Sequence, residues 1–147
     1  PAISVDAMRS ELQRQGIEAE VLPGKAHELM RRAEILLVAS GTATLEAALC
    51  RTPMVVVYRV SPVTAVLGRI FLKVKEFALA NILSGGGTVP ECIQENATPE
   101  EVSRQALGLL ANPRRMACAR DRLGAVRVHL GQPGASRRAA AAVLEIL

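Results

Sequence analysis

The sequence predicts an α/β fold, a Rossmann-like parallel sheet with flanking helices. Two short apolar runs, Ile35-Leu36-Leu37-Val38-Ala39 and Met54-Val55-Val56-Val57-Tyr58, read as parallel strands covered on both faces. Between them Ala43 through Cys50 are good helix formers closed by Arg51-Thr52-Pro53, which completes a strand–helix–strand unit. A chain of 147 residues, 50% hydrophobic, is also long enough to bury a core of Ala, Val, Leu and Ile without disulfide staples. One domain over residues 1–147 is therefore expected, with C-terminal helices from about 99 to 147.

The remaining elements follow from periodicity and punctuation. Val5, Met8, Leu12 and Ile17 mark one side of an opening helix, and Ala19-Glu20-Val21-Leu22 is a short strand candidate ended by Pro23-Gly24. Lys25 to Arg32 reads as a short helix with Ala26, Leu29 and Met30 inward. Ser61-Pro62 suits a helix start, followed by apolar Val63, Val66, Leu67, Ile70 and Phe71 with Arg69, Lys73 and Lys75 on its flank. That helix either packs on the core or touches a membrane surface. Residues 82–90, with Gly85-Gly86-Gly87 and Pro90, read as a loop. Thr98-Pro99 with Glu101 has the form of a helix cap. Helices are then expected over about 99–110, 113–130 and 135–147, and the last, almost all Ala, Val, Leu and Ile beyond Arg138, should pack on something.

Charge is unevenly placed. Residues 1–100 carry 10 basic and 11 acidic groups, whereas residues 101–147 carry 8 and 3, so the net charge of +4 is a property of the C-terminal helices. Arg114, Arg115, Arg120 and Arg122 suit anionic lipid headgroups, or are a solvated helix face. With no Trp, one Tyr and no zinc-finger or helix-turn-helix pattern, specific nucleic-acid binding is not expected. Cys50, Cys92 and Cys118 form no CxxC pair and have no His at ligand spacing, so they read as reduced thiols without zinc. Neither an export signal nor a membrane span of roughly 20 apolar residues is apparent.

The segment Ser40-Gly41-Thr42-Ala43-Thr44-Leu45-Glu46 sits after a buried strand and at the mouth of a helix, where α/β sheets bind ligands. Gly41 allows close backbone approach, free N–H groups at the helix start favour an anion, and the hydroxyls of Ser40, Thr42 and Thr44 can donate to phosphate oxygens. Glu46 can hold a ribose diol or simply complement the helix dipole. The same residues also serve as a plain cap and turn. The pattern is neither GxGxxG nor a P-loop. His27 and His129 read as surface histidines, and Asn81, Glu91 and Gln94 bracket the glycine loop.

Together these blocks resemble the lipid-A-disaccharide synthases, inverting glycosyltransferases of the two-domain GT-B type. The resemblance rests on Val38 to Ala47, Thr52-Pro53-Met54-Val55-Val56-Val57-Tyr58-Arg59, Asn81-Ile82-Leu83 and Pro90-Glu91-Cys92-Ile93-Gln94. It implies the incomplete C-terminal half of a GT-B fold, and transfer of 2,3-diacylglucosamine from UDP to 2,3-diacylglucosamine 1-phosphate. By that likeness Ser40, Gly41 and Thr42 face the diphosphate and Glu46 the ribose, while Tyr58, Arg59, Asn81, Glu91 and Gln94 line the donor cleft. The general base is expected in an N-terminal domain. No cofactor or metal is implied beyond the UDP-sugar donor. Implied partners are the acylated glucosamine 1-phosphate acceptor, an anionic membrane surface at the cytoplasmic face of the inner membrane, and a second copy in a homodimer. Where the family commonly has Arg-Glu after the glycine of the Asn-Ile-Leu loop, this chain has Gly86-Gly87. A non-catalytic nucleotide-binding or interaction module, or another UDP-N-acetylglucosamine-dependent transferase, remains an alternative.

Overall fold

The computed structural model describes residues 3–60 and 76–145. Its centre is a three-stranded parallel sheet in the order β1 (Leu36–Ala39), β2 (Met54–Tyr58), β3 (Glu91–Ile93). Leu36 stands opposite Met54, and Val56 opposite Glu91. The helices are α1 (Val5–Arg14), α2 (Ala26–Arg32), α3 (Thr42–Leu49), α4 (Leu79–Ser84), α5 (Pro99–Leu110), α6 (Pro113–Leu130) and α7 (Ala135–Leu144). A 3-10 turn, Gln94–Asn96, follows β3. The α/β class and the β1–α3–β2 unit are as the apolar runs predict.

The sheet's two faces are packed unequally. Val38, Met54 and Val56 point to one side and close a core with Ala47 and Ala48 of α3, Ala80 of α4, and Leu123 and Val126 of α6. Val55 and Cys92 point to the other and meet Leu109 of α5 and Met116 of α6. Small alanines let α3 and α4 approach closely, and alternation along β2 feeds both layers. Full cover of β1 is not observed. Leu37 is 62% exposed, and α5 packs on β2.

Caps set the C-terminal helices. The Glu101 N–H donates to Thr98 Oγ1 at 3.2 Å, with Pro99 in the first turn. The Arg115 N–H donates likewise to Asn112 Oδ1 at 3.0 Å. These are the local satisfactions a helix start needs.

Several expectations are corrected. Ala19–Leu22 forms no strand, since an extended segment without a ladder partner leaves its backbone groups to solvent. In α2 only Met30 is buried, whereas Ala26 and Leu29 face outward. Residues 82–84 are helical, ending α4 at Gly85, so the loop begins there rather than at residue 82. No residue of α7 is buried, and Leu144 is 72% exposed. The expected helix at Ser61-Pro62 and its basic flank lie outside the described residues.

Candidate functional site

Ser40, Arg59 and Gln94 each follow the last residue of β1, β2 and β3, so the parallel sheet delivers all three to one edge. This is the edge at which open α/β sheets place ligands.

On β1, the chain turns at Gly41 into α3. Gly41 has φ 146° and ψ −159°, a region essentially reserved for glycine, and it leaves open space where a Cβ would project. The first turn of α3 presents the Thr42 and Ala43 N–H groups outside the helical ladder. The Thr42 hydroxyl is exposed, whereas Thr44 is fully buried and its hydroxyl donates to the Gly41 carbonyl at 2.8 Å. Thr44 therefore holds the turn's shape and has no hydroxyl to offer a ligand. Ser40 Oγ donates to the Phe77 carbonyl at 3.5 Å, bringing the segment before α4 to this edge. Glu46, one turn along α3, is half-buried, with His27 Nε2 3.6 Å from its Oε2. That neighbour on α2 had no signal in the sequence beyond its residue type.

On β2, Tyr58 and Arg59 are exposed beyond the covered part of the strand. Gln94 reaches across from β3 and grips Val60 at both ends: its Oε1 accepts from the Val60 N–H at 2.7 Å and its Nε2 donates to the Val60 carbonyl at 3.3 Å. Gln94 sits at φ 51°, a strained position for a non-glycine residue. The paired contact fixes where the chain leaves β2.

Glu91 accepts from the N–H groups of Phe77 at 2.8 Å and Ala78 at 3.0 Å, supplying the carboxylate that the start of α4 lacks in its own cap. Asn81, 1% exposed, lies beneath the site rather than lining it. Its Oδ1 accepts from the N–H groups of Thr88 and Val89, each at 2.9 Å. Its Nδ2 donates to the Val89 carbonyl at 2.9 Å and to Glu91 at 2.7 Å. Asn81, Glu91 and Gln94 thus spend their polar atoms on the protein's own loops.

The glycine loop is held from two sides. Glu76 Oε1 accepts from the Gly87 N–H at 3.0 Å, and the Arg122 guanidinium donates to the carbonyls of Gly86 and Gly87. Gly86 has φ 84°, and a Cβ there would stand 3.1 Å from Glu76 Oε1, so the local backbone suits glycine in place of a longer side chain. Among the described residues, no group of three or more His, Cys, Asp or Glu side chains comes together as a metal site. No helix among them is long and apolar enough to cross a membrane.

The family model described as lipid-A-disaccharide synthetase matches residues 6–146 of this sequence. The chain belongs to that family. Lipid-A-disaccharide synthase of Myxococcus xanthus is 38% identical over 149 residues, covering 100% of this chain and 38% of the relative. The Trichlorobacter lovleyi protein of the same name is 37% identical over 145 residues, covering 99% and 38%. That of Syntrophus aciditrophicus is 37% identical over 127 residues, covering 86% and 33%. The chain therefore spans little more than a third of the length of these curated relatives.

Proposed function

We propose that this chain is the donor-nucleotide portion of a glycosyltransferase of lipid A biosynthesis, binding a UDP-sugar at the carboxyl edge of its sheet. The observation that carries the reading is the Gly41 turn, with open space where a Cβ would project and with the N–H groups of Thr42 and Ala43, for which no partner stands among the described residues. In this reading Ser40, Gly41 and Thr42 face the diphosphate and Glu46 takes the ribose hydroxyls. Tyr58 and Arg59 line the cleft, whose walls are set by Gln94 and Glu91 with Asn81 behind them.

The chemistry follows from charge. In an inverting transfer the acceptor hydroxyl attacks the anomeric carbon as the bond to the diphosphate breaks, and negative charge grows on the departing UDP. Fixed N–H groups aimed at that diphosphate stabilise the transition state more than the ground state. The acceptor proton needs a base, which this reading assigns to the part of the relatives that the chain does not span. The donor is UDP-2,3-diacylglucosamine, the acceptor 2,3-diacylglucosamine 1-phosphate, and the setting an anionic membrane surface. No metal or cofactor enters the scheme.

The reading is tested by UDP release from the full-length protein. Turnover with the diacylated donor and acceptor, and none when UDP-N-acetylglucosamine replaces the donor, is the expected result. Equal turnover of UDP-N-acetylglucosamine would instead favour a different transferase.

A further inference from the structure

A second cleft, of about 480 Å³, opens between the end of α2, the turn after α3, and the middle of α6. Its floor includes Ala33 and Thr52, which lie just before β1 and β2. It is therefore at the amino edge of the sheet, separated from the Gly41 turn by the length of the strands, roughly 15 Å.

The walls are fixed by two side chains. The Thr52 hydroxyl, on a buried residue, donates to the Met30 carbonyl at 2.5 Å and ties α2 to the turn. Arg51, at φ 58°, donates through Nε to the Arg120 carbonyl at 3.1 Å and through Nη2 to Asp121 Oδ1 at 2.9 Å, tying the same turn to α6.

Four charged side chains line this cleft: Arg31, Arg51, Arg120 and Asp121. Asp121 is the one carboxylate among them, and it is paired with Arg51. Arg31 and Arg120 have no carboxylate partner among the described residues, so two arginines of the lining are left without an acidic neighbour. A lining with more positive than negative charge favours an anion, and a guanidinium fork matches the oxygens of a phosphate group bidentately.

We propose that this cleft is an anion site for a phosphate group, held by Arg31 and Arg120 with Arg51 fixing the framework. The phosphate is either free or the headgroup of an anionic lipid. The site is separate from the proposed nucleotide site and does not depend on it.

The test compares the chain with its Arg31→Gln/Arg120→Gln double variant. Both residues are exposed, so the fold should survive, as circular dichroism and thermal melts would show. Inorganic phosphate is titrated by NMR. In parallel, each protein is sedimented with phosphatidylcholine vesicles with or without phosphatidylglycerol. Saturable phosphate binding weakened at least about tenfold in the variant, equivalent to about 1.4 kcal/mol, supports the site. If the variant also loses phosphatidylglycerol-dependent sedimentation, the source is a lipid headgroup; if sedimentation is unchanged or absent in both, it is a free phosphate. No difference between the proteins in either arm overturns the proposal.

Discussion

Asn81 Nδ2 lies 2.7 Å from Glu91 Oε1, joining the first turn of α4 to the start of β3. Through this contact one buried amide and one carboxylate organise three segments: the start of α4 through Phe77 and Ala78, the loop at Thr88 and Val89, and β3 itself. Their place beside the site comes from shaping its loops.

Asn81→Leu tests that role. The substitution keeps the branched shape of the side chain but leaves the N–H groups of Thr88 and Val89 and the Val89 carbonyl without their partner. Each buried orphan costs on the order of 1 kcal/mol or more, so a loss of about 3 kcal/mol in urea unfolding is expected. A loss below about 1 kcal/mol would mean that the loop re-forms its contacts with water.

Glu46 provides a different test, because its proposed role is toward the ligand rather than the fold. Glu46→Ala is expected to weaken UDP binding about tenfold, the worth of a charged hydrogen bond to the ribose diol. Affinity for inorganic pyrophosphate should stay the same. Equal weakening of both ligands would place the carboxylate's effect elsewhere.

The cysteines report on packing. Cys92 is 1% exposed, and burial, with the nearby Glu101 carboxylate, pushes its thiol above the ordinary range. Cys118 is exposed on α6 and Cys50 is intermediate. Alkylation at about pH 8 should modify Cys118 first and leave Cys92 protected until denaturant is added. Mass spectrometry of peptides taken over the time course checks the order.

Much of the fold was legible because its signals are local. The apolar runs at Leu36–Ala39 and Met54–Tyr58, the Thr98-Pro99 cap and the break at Gly131 each depend on a few neighbouring residues. What the sequence could not show depends on tertiary partners. Val21 and Leu22 have the composition of a strand, but no neighbour completes a ladder with them. Leu37 was expected to be covered because its run is apolar throughout, yet cover depends on where α5 lands. At the candidate site the turn at Gly41 was readable, while the burial of Thr44 was not. Its hydroxyl looks available in a string of letters and is committed to the Gly41 carbonyl in space. Asn81 was singled out as a residue lining the cleft only through the family resemblance, and its role in the fold needed the positions of Thr88 and Val89.

The central claim is that the Gly41 turn holds the donor diphosphate. Titration of UDP into the chain and into its Gly41→Val variant, by calorimetry, tests this most directly. Valine at φ 146° costs on the order of 1–3 kcal/mol of backbone strain and projects into the open space before the turn. Thermal melts of both proteins establish that the variant remains folded. The account predicts saturable UDP binding by the parent chain, weakened at least about tenfold in the folded variant. No saturation by the parent, or the same dissociation constant in both, would contradict it.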